Sequence, residues 1–239
     1  MVTIERQGGV ALVRYDRGGK ANALSLAAAE ALLDAAHQLA ADPDLRAVVL
    51  TGTSRVFSAG IDLADAGWWG AADALATQRA LALGERMCRA WSDLAVPTIA
   101  AIEGAAIGGG AVLANCCDWR VMADGAFVAM PEVRLGMPLA WGGLPRLAAL
   151  VGPARAKRLL FTDMRLDAAT AVAWGLADAQ APAGQAVDVA MRLAAESAAC
   201  PPLAMRLTKR AIEAQCFPAP LAHAQTDQFL LCHLLARPA

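Results

Sequence analysis

No Gly-x-Gly-x-x-Gly, no Gly-x-x-x-x-Gly-Lys-[Ser/Thr] and no Gly-x-Ser-x-Gly occurs anywhere in the 239 residues. A dinucleotide fingerprint, a P-loop and the usual serine-hydrolase elbow are therefore excluded. The six cysteines, at positions 88, 116, 117, 200, 216 and 232, never adopt Cys-x-x-Cys spacing. In a chain this long and core-rich they read as reduced thiols rather than a disulfide framework. The three histidines, His37, His223 and His233, lack Cys or acidic partners at metal-ligand spacing, so no metal site is expected. Net charge is only −1 and there is no Lys/Arg run, which argues against a nucleic-acid partner or an anionic membrane face. An uninterrupted apolar span is missing too: the best window, Val96 to Cys117, contains Pro97, Glu103, Asn115 and several glycines. Met1 to Asp16 alternates like a strand and has no basic end followed by an apolar run, so a cytoplasmic location is expected.

What is present in quantity is apolar surface: 57% of the residues are hydrophobic, enough for a substantial core in one large domain or one domain with an appended subdomain. Val2-Thr3-Ile4 and Val10 to Val13 read as strands joined at Gly8-Gly9. Ser25 caps a helix from about Leu26 to Ala40, with Leu32, Leu33, Ala36 and Leu39 on one face. A strand is expected over Arg46 to Thr51, a polar turn over Gly52 to Ser58, a long helix from about Ala71 to Leu94 and a strand over Thr98 to Ile102. Trp68 and Trp69 read either as a lid or interface patch or as packing on a neighbouring helix. Strands recur near residues 10, 47, 98, 119, 127 and 176, and their helical crossovers favour parallel pairing. Beyond Gly136 helices dominate: Trp141 to Val151, Pro153 to Thr162, Ala168 to Trp174, Val187 to Ala199, Leu203 to Gln215 and Leu221 to Leu235.

The chemistry concentrates between Gly104 and Gly136. An apolar strand runs into Gly108-Gly109-Gly110 and then a short helix, whose first N–H groups are unpaired and carry the positive dipole end. A second glycine loop, Ser58-Ala59-Gly60-Ile61-Asp62, also follows an apolar strand. Either loop alone reads as a tight turn. Together with Pro131-Glu132 they supply backbone donors for a developing oxyanion and a carboxyl among Phe127, Val128, Met130 and Val133.

The order of these segments resembles the crotonase, or enoyl-CoA hydratase/isomerase, superfamily. The matching residues are Asn22 to Ser25, Val48 to Gly52, Phe57 to Asp62, Pro97 to Ile102, Gly104 to Gly110, Cys117-Asp118, Pro131-Glu132, Leu135-Gly136, and Gly142-Gly143 with Pro145 to Leu147. The resemblance implies an α/β crotonase (ClpP-like) spiral of ββα repeats over residues 1–185, with a helical C-terminal region over 186–239. It also implies an acyl-CoA thioester substrate with no further cofactor, and a homotrimer or dimer of trimers. The N–H groups of Ala59 and Gly109 are then expected to form the oxyanion hole, with Glu132 as the catalytic acid/base. Substrate and CoA contacts are expected from Lys20, Ala21, Ala23, Gly60, Ile61, Asp62, Gly108, Val112 and Trp141.

Departures from the family pattern narrow the reaction. Hydratases of the family carry a glutamate two residues after the glycine triplet, where this chain has Val112. Glu132 is then a single acid/base, as in family members that isomerise 3-enoyl-CoA to 2-enoyl-CoA. The acid that dienoyl-CoA isomerases and acyl-CoA dehalogenases use after Leu135-Gly136 is replaced by Met137-Pro138-Leu139-Ala140. Asp62 and Asp65 read as caps, and Asp118 as a partner for buried backbone groups. The family's final glycine turn and Phe-and-basic segment are not expected after the Leu221 to Leu235 helix, which would leave part of the CoA cover missing or supplied by a neighbouring subunit. Hydration or decarboxylation on the same fold, and non-catalytic acyl-CoA binding, remain the alternatives.

Overall fold

Two sheets grow side by side because three successive strand pairs each lay one strand in either sheet before the chain turns helical. The computed structural model describes residues 1–69, 74–162 and 164–216. A hairpin, β1 (Val2–Gln7) and β2 (Val10–Tyr15), is followed by α1 (Leu26–Ala40). Then come β3 (Ala47–Thr51), β4 (Val56–Ser58), α2 (Ala66–Trp69) and α3 (Ala74–Ser92). The next repeat is β5 (Thr98–Ile102), β6 (Ala105–Ile107) and α4 (Gly109–Asn115), and the third begins with β7 (Trp119–Ala123) and β8 (Phe127–Ala129). The remainder is α5 (Gly143–Phe161), β9 (Leu166–Asp167), α6 (Ala168–Trp174), β10 (Ala179–Ala181), α7 (Ala186–Ala198) and α8 (Pro202–Cys216).

The larger sheet has the order β1-β2-β3-β5-β7-β10 and the smaller β4-β6-β8-β9. All neighbours are parallel except β1–β2 and β8–β9. Successive pairs β3/β4, β5/β6 and β7/β8 thus each advance one position in both sheets, which generates the spiral. Because both faces of the larger sheet are covered, β3 and β5 are buried along their whole length and read as continuous apolar runs rather than alternating ones. The helix α7 lies against β2, β3, β5, β7 and β10, with Ala186, Ala190 and Ala194 buried, so this first helix of the expected C-terminal region is a layer of the sheet itself. Its N-terminus is capped by buried Glu103, which accepts the N–H groups of Gly184 (3.0 Å) and Ala186 (2.8 Å).

Several expectations are corrected. The polar turn expected over Gly52 to Ser58 contains β4, a three-residue strand too short to show any period and exposed as a strand only by its pairing with β6. The two helices expected from Trp141 and from Pro153 are both present, since α5 is two helices that meet at a kink at Gly152 (φ 78°, ψ 159°). The strand expected near residue 176 is β10, three residues later. The Leu221 to Leu235 helix lies outside the described residues. Among the described residues no helix is long and apolar enough to cross a membrane.

Candidate active site

The three parallel strands β4, β6 and β8 end on the same side of the smaller sheet. Their C-terminal ends hand the chain to Ala59–Asp62, Gly108–Gly110 and Pro131-Glu132, so the three segments singled out by their chemistry become neighbours. Ligand sites in α/β proteins form at such strand ends, where loops are free of sheet pairing. The loops are strapped together by close packing: the buried Ser58 hydroxyl accepts the Gly60 N–H at 3.2 Å, and a Cβ on Gly110 would lie 2.7 Å from that of Ser58.

Gly60 (φ +83°) passes so close to the neighbouring loop that a Cβ there would sit 2.6 Å from the Ile107 carbonyl and 3.2 Å from the Gly109 nitrogen. This turn also decides which amides are available. Ala59 donates its N–H to the Ala21 carbonyl at 3.1 Å. The expected pairing of Ala59 with Gly109 as oxyanion donors is therefore corrected, because the Ala59 donor is already used. Leu24 forms a parallel bridge to Ile61, donating to Gly60 O (2.7 Å) and accepting from Asp62 N (2.9 Å). In a parallel bridge the central residue's own N–H points away from its partner. The Ile61 N–H accordingly faces away from Leu24 and, like that of Gly109 at the start of α4, has no partner among the described residues. A Cβ on Gly109 would touch Ile61 Cγ1 at 3.4 Å, so the two unpaired donors belong to adjoining residues.

Glu132 opens the 3-10 turn Glu132–Leu135 and is 9% exposed. Its Oε1 lies over Gly108, where an added Cβ would come within 2.8 Å, and Gly108 holds φ +50°. A side chain at 108 would therefore strike the carboxyl as well as strain the backbone. Oε2 is buried with no hydrogen-bond partner among the described residues. Burial pushes the Glu132 pKa from the ordinary 4.5 up to about 7, a rise that a hydrogen bond from the residue's own backbone N–H only partly offsets. That places a carboxyl where it can both take and return a proton near neutral pH.

Ala59, Gly60, Ile61, Gly108, Gly109 and Val112 line one apolar cavity together with Glu132 and Trp141. Its volume is about 130 Å³. Leu63, Trp69, Ile107, Pro131, Leu135, Met137, Leu139 and Ala140 complete the lining, and of these Leu63 carries no sequence signal beyond being apolar. Val112 is buried, and its Cγ2 packs where a Cβ on Gly143 would come within 2.7 Å. Among the described residues Glu132 is the one carboxyl in the lining.

Trp141 takes a left-handed backbone (φ +59°), a conformation that costs about 1–3 kcal/mol and persists only where its surroundings enforce it. They do so from several sides. Its Nε1 donates to Leu81 O at 3.2 Å, and its ring lies 5.7 Å from that of Trp68 at an interplanar angle of 34°. The edge of the indole fits between two glycines: a Cβ on Gly84 of α3 would meet Cε2 at 2.0 Å, and one on Gly109 would meet Cζ3 at 2.6 Å. Alanine inside a helix is normally favoured over glycine by about 1 kcal/mol. At position 84 the sign reverses: Gly84→Ala is expected to lower stability by about 1–3 kcal/mol through overpacking, measured by urea denaturation. A variant as stable as the parent would show that the indole yields readily. Trp68 is fully buried and donates to Leu24 O (2.8 Å), so of the two readings of this tryptophan, packing is the one realised.

Lys20, Ala21 and Ala23 lie in the adjoining turn and Asp62 at the end of the Gly60 loop, and none of the four is in the cavity lining. Lys20, Ala21 and Asn22 are successively left-handed (φ 48°, 49° and 54°), stabilised by Asn22, which donates to the carbonyls of Tyr15 (2.9 Å) and Phe57 (2.8 Å). Asp62 does more than cap its turn: it accepts from the Ala64 N–H (3.0 Å), from Arg17 Nη1 (2.8 Å) and from the exposed Lys20 Nζ (3.3 Å). Asp65 caps as expected, accepting from the N–H groups of Leu26 (2.7 Å) and Gly67 (3.0 Å). Asp118 holds the Thr98 N–H (2.7 Å) and Lys209 Nζ (2.6 Å).

A double-sheet spiral of ββα repeats, with glycine loops and a buried carboxyl at the strand ends of the smaller sheet, is the crotonase fold. The crystal structure of an enoyl-CoA hydratase from Mycobacterium avium subsp. paratuberculosis superposes with a TM-score of 0.87 at 27% identity, over 99% of this chain and 94% of that one. The crotonyl-CoA hydratase of Syntrophomonas wolfei is 32% identical over 211 residues, 88% of this chain and 80% of that protein. The short-chain-enoyl-CoA hydratase of Clostridium acetobutylicum is 32% identical over 212 residues, again 88% and 80%. The family model for enoyl-CoA hydratase/isomerase matches residues 5–237. The chain belongs to the enoyl-CoA hydratase/isomerase family.

Proposed function

We propose that this member of the family isomerises 3-enoyl-CoA to 2-enoyl-CoA. The observation that carries this reading is the composition of the cavity: among the described residues Glu132 is its one carboxyl, and Val112 lines it at the position where the hydratases that the sequence resembles carry a second glutamate. In this mechanism the N–H groups of Ile61 and Gly109 hold the thioester oxygen. Glu132 takes a proton from C2, so that the C2–H electron pair enters a dienolate whose negative charge rests on that oxygen. The same carboxylic acid then delivers the proton to C4, moving the double bond from C3–C4 to C2–C3. No water and no second base enter the sequence. Burial serves this task, since a carboxyl poised at about 7 is basic enough to take the proton and acidic enough to return it.

The same reading takes the Lys20 to Ala23 turn and Asp62 as the edge of the CoA channel, requires no cofactor beyond the thioester, and takes the protein as a cytoplasmic homotrimer or dimer of trimers. A hydratase is the second reading, favoured by the names of the relatives above. Assaying the purified protein with 3-hexenoyl-CoA and with 2-hexenoyl-CoA separates the two. Isomerisation is expected to exceed hydration by about 10²-fold or more, the usual worth of one acid/base group. Efficient hydration by the parent protein would overturn the isomerase reading.

A further inference from the structure

We propose that Trp141 sets the length of the acyl group, and that the substrates are short acyl thioesters of about four to six carbons, an inference that rests on the acyl-CoA reading above. The inner wall of the cavity is built from Val112, Leu139 and Trp141, all buried, whereas Leu63 and Leu135 at its rim are 61% and 51% exposed. An acyl chain entering past the rim therefore ends against the indole. That wall is rigid. Trp141 is held by the Leu81 carbonyl, by the Trp68 ring and by the two glycine surfaces of α3 and α4, and its left-handed backbone leads directly into Gly142 (φ 72°), the N-cap of α5.

Swinging the side chain out would break the hydrogen bond and leave a gap between Gly84 and Gly109, both of which have the indole as their nearest neighbour. Size then fixes the class of substrate. The cavity is about 130 Å³, and an engineered apolar cavity of roughly 150 Å³ takes up benzene, a molecule of six carbons. Among the described residues the lining is apolar apart from Glu132 and the backbone donors, so it offers no further partner to a hydroxylated or charged acyl end.

Binding of saturated acyl-CoAs tests this without any turnover. Dissociation constants for butanoyl-, hexanoyl-, octanoyl- and decanoyl-CoA would be measured by calorimetry on the parent, Trp141→Phe and Trp141→Ala. Each methylene that finds apolar cover adds about fourfold to affinity. The parent is expected to gain from butanoyl to hexanoyl and to gain nothing, or lose, beyond it. Trp141→Ala is expected to continue gaining through octanoyl, with Trp141→Phe between the two. If Trp141→Ala does not fold, the parent series and the phenylalanine variant still decide. A parent whose affinity rises steadily to decanoyl-CoA, or variants with an unchanged limit, would overturn the role of Trp141. Absence of binding at every length would instead overturn the acyl-CoA reading and this inference with it.

Discussion

Glu132→Gln is expected to lower isomerase turnover by about 10²–10⁴ and, at neutral pH and above, to make the protein more stable. Both effects have one origin. Burial without a hydrogen bond to Oε2 raises the Glu132 pKa from 4.5 to about 7 in the folded protein. A carboxyl raised in this way binds its proton more tightly when folded than when unfolded, so folding is unhindered below pH 4.5, where both states are protonated. As pH rises from 4.5 to about 7 the unfolded chain ionises first, and stability falls by about 3 kcal/mol in total, a penalty that stays constant above that window. Glutamine is neutral throughout and removes the dependence. Thermal melts should therefore agree for parent and variant near pH 4.5 and separate by several degrees at pH 8, at roughly 2–4 °C per kcal/mol for a chain of this size.

Activity should follow the opposite course, because only the ionised carboxyl can take the C2 proton. In the parent, kcat/KM is expected to rise with pH through an apparent pKa of about 7. Full turnover by Glu132→Gln would remove this residue as the base. Turnover that is lost without any gain in stability at pH 8 would show that the carboxyl is better solvated than its surroundings imply. The combination of a catalytic loss with a stability gain is the signature of a group kept in a costly environment for its reactivity.

Arg120→Met is expected to cost about 2–5 kcal/mol, on the order of 1–3 for each buried carbonyl left without a donor, without touching the cavity. Arg120 lies on β7 and is 2% exposed. Its guanidinium donates through Nε to the Leu176 carbonyl, through Nη1 to Cys117 O at 2.8 Å, and through Nη2 to Asp118 O (3.0 Å) and Asp178 Oδ2 (3.1 Å). The ion pair with Asp178, itself partly exposed, contributes little. The expected loss comes from three carbonyls that methionine would leave without a donor, two of them on the buried residues Cys117 and Leu176. Arg120→Lys should recover only part of it, because one ammonium cannot span acceptors that a planar fork reaches together. Urea denaturation of both variants measures this. A methionine variant within 1 kcal/mol of the parent, on the order of an ordinary surface substitution, would show that water replaces the guanidinium.

Segments with strong local physics were legible in the sequence. Ser25 as a cap, with its hydroxyl oxygen accepting the Ala28 N–H at 3.1 Å, the strand Thr98–Ile102, and the glycine triplet opening α4 each follow from a few adjacent residues. Glu132 was legible as a carboxyl in an apolar neighbourhood, and Val112 as the missing second acid. The strands of the smaller sheet were not, since three residues carry no period and become a strand only when β4, β6 and β8 meet. Arg120 gave no sign of being buried, because its acceptors come from the turn after α4 and from the connection between α6 and β10.

Motif order was thus sufficient for the family and the spiral, and for singling out Glu132 as the proposed acid/base, all of which depend on what each residue is and on its near neighbours. The choice of amide donors depended instead on where Gly60 turns the chain: it leaves Ala59 bonded to Ala21 and the Ile61 N–H unpaired, a distinction that residue identity does not encode. Trp141 makes the same point on a larger scale. Its apolar character is plain from the chain, but its position as a wall between Gly84 and Gly109 comes from contacts among segments of α3, α4 and the start of α5 that are far apart in sequence, and such contacts exist only after packing has brought them within van der Waals range.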